Sequence, residues 1–251
     1  MDVEYWDQVA ANYDDEIFDS INLDLNGIIK RRVEQYQSQD YFACDFGCGV
    51  GKYLPLLARC FKTLYAVDHS EELLKVARVA CAGQTNIRFI RSDLSRTKLR
   101  IPKIRFAVCT NVLIAPAHKK RLAILRNIQR HQPHGGHLLL LVPSTESALY
   151  ANQRLIEWNR RAGYRGEELM SECLPATARS AKQLLNGTIP IQGVLTKHYL
   201  REEILLMLEG QGYETVSVDK LEFAWRNEFD NPPSWMQSPF PWDWLLVARK
   251  K

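Results

Sequence analysis

The chain has 251 residues, 46% of them apolar, and a formal net charge of +4. That length suits one α/β domain with an insertion, and the charge is too small by itself to call for a polyanionic partner. No apolar run approaches membrane-spanning length and no signal peptide precedes the first elements, so the expectation is a cytoplasmic protein without a membrane partner.

Acidic residues crowd the start (Asp2, Glu4, Asp7, Asp14, Asp15, Glu16, Asp19), and the first base is Lys30. They read as a solvated helix face, with Trp6 packing on the core. Tyr41–Cys44 is a short apolar run, read as a buried strand. It leads into Asp45-Phe46-Gly47-Cys48-Gly49-Val50-Gly51, and then into Lys52–Ala58, a helix with Pro55 tolerated in its first turn. Glycines at alternate positions allow a tight strand-to-helix turn and let a ligand lie against the main chain where a Cβ would collide. Unpaired amides at the helix start face the same place.

Lys62–Asp68 reads as a second strand ending in an acid. Asp68 lies about twenty residues past the glycine loop, where a doubly wound fold brings a carboxylate to a ribose diol. Ser70 is the predicted N-cap of a helix over Glu71–Cys81. A third strand, Asn86–Ile90, runs into Arg91-Ser92-Asp93-Leu94. A fourth, Arg105–Cys109, runs into Thr110-Asn111-Val112-Leu113. Leu122–Gln129 is a predicted helix, and the nearby bases Lys119, Lys120, Arg121, Arg126 and Arg130 read as its wet face. Pro133-His134-Gly135-Gly136 then breaks the chain before a fifth strand, His137–Val142. His131, His134 and His137 make no metal site, because Pro133 and the double glycine keep them off one helical face.

Residues 144–196 are long for a connection, and such segments are usually functional or structured. Asn152–Ala162 and Ala178–Leu185 look helical. Arg154, Arg160, Arg161 and Arg165, interleaved with Tyr150, Trp158 and Tyr164, suit either an anionic substrate group or a solvated face. His198–Leu208 is a predicted helix closed by Gly210-Gln211-Gly212. Tyr213–Val218, extending toward Trp225, reads as strand six. A Pro-rich aromatic loop follows over Asn227–Pro241, and Trp244–Ala248 is the last strand. Trp235, Phe240 and Trp242 are assigned to interior packing. Cys44, Cys48, Cys60, Cys81, Cys109 and Cys173 form no C-x-x-C pair, the pattern of free thiols in a reducing compartment.

The run Asp45-x-Gly47-x-Gly49-x-Gly51 resembles motif I of the class I S-adenosylmethionine-dependent methyltransferases. The dinucleotide fingerprint would need its third glycine at Lys52, which disfavours a nicotinamide oxidoreductase. Tyr5–Asp14 is similar to the W-D-x-x-A-x-x-Y-D opening of many small-molecule members. The resemblance is closest over residues 41–143. It implies a doubly wound, mostly parallel seven-stranded sheet, a C-terminal antiparallel hairpin, and a helical insertion between strand five and the next helix. It divides the chain into lid helices and a cofactor-binding core (1–143), a substrate-covering insertion (144–196) and the rest of the core (197–251).

The implied cofactor is S-adenosyl-L-methionine, held by Tyr13, Asp45, Gly47, Cys48, Gly49, Asp68, His69, Asp93, Leu94 and Asn111. In the family, an acid in the place of Asp93 accepts a hydrogen bond from the adenine amino group, and the loop holding Asn111 lies beside the methionyl part. Many relatives carry a His within V-L-x-H after strand four. Here the run is Val112-Leu113-Ile114-Ala115, so the general base stays open, with His118, Tyr150 and His198 as substitutes. The implied activity is methyl transfer to a small molecule, with no metal. An RNA methyltransferase using the basic helix, or a non-catalytic cofactor-binding protein, are the alternatives.

Overall fold

The computed structural model describes residues 3–10, 19–96, 98–170, 181–191 and 193–251. Tyr13 and the rest of its motif from Ala11 to Asp14, Cys173, and the first residues of the expected Ala178–Leu185 helix lie outside these residues. Strand β1 (Ser38–Phe46) is the centre of the architecture, because parallel strands leave it on both sides. β2 (Phe61–Asp68) and then β3 (Ile87–Arg91) lie to one side. β4 (Phe106–Thr110) and β5 (His137–Pro143) lie to the other. Two antiparallel strands, β8 (Tyr213–Glu222) and β9 (Trp242–Lys250), complete a seven-stranded sheet of order β3-β2-β1-β4-β5-β9-β8. β9 is the interior member of that closing pair, hydrogen-bonded to both β5 and β8.

The apolar runs explain the burial. Leu138–Val142 is wholly buried, as expected of a strand covered on both faces. Alternate residues serve opposite layers: Ala43 joins one cluster, Cys44 and Phe46 the other. The first layer is completed by α3 (Ile28–Gln35), α4 (Leu54–Cys60) and α5 (Glu71–Ala80), through Val33, Leu57 and Leu74. The second is completed by α6 (His118–His131) and α9 (Arg201–Glu209), through Leu125 and Leu208. The Ser70 hydroxyl caps α5 by accepting from the Leu73 amide at 3.1 Å. Two short helices open the chain, α1 (Val3–Val9) and α2 (Ser20–Leu23).

Several elements differ from the sequence expectation. α7 runs from Thr145 to Arg161 and starts directly after β5, because the Ser144 hydroxyl caps it at the Ser147 amide, 3.0 Å away. The insertion is only partly helical. After α7 come a 3-10 turn (Gly166–Met170), α8 (Ala181–Leu185) and a separate hairpin of β6 (Thr188–Ile191) and β7 (Val194–Lys197). His198 is extended, not helical. The amides of Lys197, His198 and Tyr199 donate to the carbonyls of Ile114, Gly187 and Pro143, so they are committed to the sheet rim before α9 begins. The bases near α6 are not one wet face: Arg121 is buried, donating to the Ala115 and Pro116 carbonyls at 2.6 Å each and lying over the Tyr199 ring. The early acids are not all solvated either. Asp19 pairs with Lys52 at 3.1 Å, and Asp7 accepts a hydrogen bond from Ser70. No described helix is long and apolar enough to cross a membrane.

Candidate cofactor and acceptor site

The strand order reverses between β2 and β4 about β1, and ligands of open α/β sheets bind in the crevice outside the carboxyl strand ends at such a point. A cavity of about 930 Å³ lies there. Its floor is the glycine loop. Gly47, Gly49 and Gly51 have φ of 85°, 52° and 87°, which L side chains rarely adopt. The amides of Gly47 and Cys48 donate to the Val67 carbonyl at 2.7 and 3.0 Å, tying the turn to β2. A Cβ at Gly47 would collide with Val112 of the loop after β4.

Asp68 ends β2 and faces the cavity. One carboxylate oxygen accepts from the Gly49 amide at 2.9 Å, the other from the Ser70 amide at 3.0 Å. It therefore holds the loop and the start of α5 in register, while each oxygen keeps a lone pair for a ligand. His69 lines the wall beside it, with Nδ1 3.6 Å from Asp68. After β3, Asp93 and Leu94 continue the wall. Burial would raise the Asp93 carboxyl, but hydrogen bonds from the Ser95 hydroxyl and amide, at 2.6 and 2.8 Å, hold it below the usual carboxylate range.

Asn111 also faces the cavity. Its φ of 55° turns the chain after β4, and its side-chain oxygen has no hydrogen-bond partner among the described residues. Asp45 and Cys48 lie behind the wall. Asp45 is 1% exposed, its Oδ1 has no partner among the described residues, and burial, then the Asp68 charge, raise it to about 8. A buried acceptor left without a donor is costly, so the Asn111 oxygen in the wall suits a ligand that brings a hydrogen-bond donor.

Residues 43–136 match the family model described as a methyltransferase domain. Over this stretch, just over a third of its length, the chain is similar to a methyltransferase domain. Solved structures agree in fold. A methyltransferase from Methanosarcina mazei shares 18% identity, covering 91% of this chain and 99% of its own, with a TM-score of 0.61. DhpI in complex with S-adenosylhomocysteine (SAH) shares 13%, covering 99% and 94%, with a TM-score of 0.62. The magnesium protoporphyrin IX methyltransferase of Synechocystis, with bound SAH, shares 16%, covering 84% and 74%, with a TM-score of 0.52. No curated protein matches by sequence. The glycine cradle, the strand-end acids and the open Asn111 oxygen fit S-adenosylmethionine as cofactor.

The other half of the cavity comes from later elements: α7, the β6–β7 hairpin, the β8–β9 connection and the start of β9. Leu155, Ile189, Val194 and Phe229 make it largely apolar. Glu228 and Asp243 are its acids, and neither stood out in the sequence. Glu228 keeps solvent contact, yet desolvation by the surrounding protein raises it to about 7. Burial, then the Glu228 charge, raise Asp243 to about 7 against a hydrogen bond from the Ser144 amide. One sequence signal existed for Asp243. It precedes the apolar run of the last strand, and an antiparallel strand beside β5 starts where the parallel strands end; in the observed register Asp243 faces Pro143.

Of the three substitute bases, only His198 lines the cavity. Tyr150 packs on Trp225 and Trp242 and donates to the Pro239 carbonyl at 3.2 Å. His118 is exposed and contacts Arg121. Trp6 lines the cavity and is not a plain core residue. Arg154, Arg160, Arg161 and Arg165 do not line the cavity. Arg154 pairs with Glu157 at 2.7 Å and lies over Trp225 and Trp235; Arg161 stacks on Trp235; Arg160 and Arg165 are exposed. Trp235, Phe240 and Trp242 pack without lining it. His131 is structural, bonded to the Asn127 and Leu99 carbonyls. Among the described residues, no cluster of His, Cys, Asp or Glu could hold a metal.

Proposed function

We propose that the methyltransferase acts on a small molecule enclosed with its cofactor. One observation carries this reading: a single cavity has the glycine loop and the ends of β2–β4 on one side, and α7, the β6–β7 hairpin and the β8–β9 connection on the other. Segment 144–196 then serves as a substrate cover, and α1 as part of a lid, held on α5 by the Asp7–Ser70 bond. A polymeric substrate would need an open groove. The basic helix offers less than its sequence promised, since Arg121 is turned inward.

S-adenosylmethionine supplies a methyl group already activated on a sulfonium. The chain's residues bind, orient and exclude water, and alignment of two bound partners accounts for much of the rate gain in such transfers. In this reading Asp68 accepts from the ribose hydroxyls and Asp93 from the adenine amino group. Gly47 and Gly49 give close main-chain approach, with His69 and Leu94 against the nucleoside. Asn111 offers its open oxygen to the amino-acid end, and Asp45 supports the glycine loop from behind the wall. Cys48 contributes backbone, and its buried thiol stays protonated because burial raises it far.

The free, buried thiols of Cys44, Cys48, Cys60, Cys81 and Cys109 support a reducing, cytoplasmic setting. Calorimetry with SAH tests the site. Saturable 1:1 binding that Asp68→Ala weakens is the expected result, and no heat of binding would refute the assignment. A metabolite extract incubated with labelled cofactor should transfer label to a low-mass product in a manner insensitive to salt. Label in RNA, lost steeply with salt, would replace the small-molecule reading.

A further inference from the structure

We propose, resting on the small-molecule reading above, that the acceptor is an apolar amine whose nitrogen binds at Glu228 and Asp243. Both carboxyls stand in the cavity wall, and neither has an ion-pair partner among the described residues. Among the described residues, the wall formed by α7, the hairpin and the β8–β9 connection brings no Lys or Arg into the cavity. The basic side chains that do line it, Arg96 and Lys120, come from the β3 and α6 side near Asp93. Two uncompensated carboxyls beside largely apolar walls, Asp243 half-buried and Glu228 open to solvent on one side, repel an anionic acceptor and favour a cation. The surrounding apolar side chains leave room for a hydrocarbon body.

His198 gives an independent sign of a ligand. It is 7% exposed and lines the same space. Its Nδ1 lies 3.1 Å from the Thr196 carbonyl, which can only accept, so Nδ1 carries the hydrogen and Nε2 presents a lone pair. Burial, more than the neighbouring Lys197 charge, depresses the ring to about 4, so it stays neutral and accepting at physiological pH. No described group donates to that lone pair; an N–H of the acceptor would.

The step balances without another reagent. The amine arrives protonated and gives one proton to a carboxylate. Its freed electron pair forms the N–C bond as the S–CH3 bond breaks, and that bond's pair stays on sulfur as a neutral thioether. The methylated nitrogen leaves as an ammonium, and the carboxyl returns its proton to water.

The test is calorimetry on the protein saturated with SAH, using 2-phenylethylamine, 3-phenylpropionate and 2-phenylethanol. The amine should bind at least about tenfold more tightly than the acid or the alcohol, roughly 1.4 kcal/mol. Glu228→Gln with Asp243→Asn should erase that preference while SAH affinity holds. Glu228→Gln alone, in a loop, should reduce the preference if the double variant melts early. An amine that binds no better than its acid, or a preference that survives both substitutions, overturns the proposal. Failure of the wild type to bind SAH would instead overturn the cofactor assignment on which it rests.

Discussion

The two halves of the cavity are built by opposite strategies. The cofactor half is local: a strand, a glycine turn and a helix start, contiguous from β1 to α4, plus residues directly after β2, β3 and β4. The acceptor half is assembled from parts scattered over a hundred residues, with α7, the hairpin, the β8–β9 connection and the first residues of β9 meeting only in the folded chain. Backbone conformation determines the first half, and side-chain convergence determines the second. Substitutions should therefore act on cofactor binding through main-chain strain, and on acceptor choice through charge.

The largest expected effect breaks the cofactor half at its backbone. Gly49 sits at φ of 52° with its amide on Asp68. Gly49→Val forces a β-branched residue into that region, at about 1–3 kcal/mol of strain, and should lower SAH affinity by more than about 100-fold while circular dichroism keeps its α/β signature. Asp68→Ala comes next. It strands the Gly49 and Ser70 amides and removes the ligand's acceptor, so calorimetry should show more than about tenfold weaker binding.

A smaller effect touches both halves. Asp45, Glu228 and Asp243 are raised to about 8, 7 and 7, chiefly by desolvation, against roughly 4 in an unfolded chain. The folded state then holds more protons than the unfolded one between those values, so stability falls as pH rises. His198 and His137, both lowered by burial, work in the opposite sense, but only below about pH 6.5. From pH 6.5 to 8.5 the ligand-free protein should lose melting temperature, by about 2–4 °C for each 1 kcal/mol. Asp45→Asn should shrink the loss, and a flat profile would contradict these shifts. The smallest effect is the most diagnostic of the acceptor half. Arg160→Ala and Arg165→Ala, on exposed side chains away from the cavity, should leave acceptor KM unchanged; a raised KM would restore an anionic substrate.

This contrast also decides what could be read in advance. The glycine turn, the strand ends that carry Asp68 and Asp93, and the Ser70 cap were legible because each depends on neighbours in sequence. The central sheet was legible because buried parallel strands read as unbroken apolar runs, as in Leu138–Val142. The hairpin of β6 and β7 was not, since its short strands, one carrying Pro190, lack an apolar alternation. His198 looked helical until its backbone proved committed to the rim. Arg121 looked solvated, and Arg154 either solvated or set for an anion, because a sequence does not show Tyr199 or Trp225 waiting to receive a guanidinium. Glu228 and Asp243 gain meaning only from a shared space that no local pattern announces.

β9 lies inside the sheet, between β5 and β8, although it is the last strand in the chain. During synthesis, β5 must wait with an open edge until Trp242–Lys250 emerges from the ribosome, and until then the nascent molecule exposes a long, greasy, unpaired ledge. The same event delivers Asp243 to the pocket. Folding to completion and competence for acceptor capture are therefore timed by one late insertion, and a chain cut before residue 242 should be a chaperone client rather than a slow enzyme.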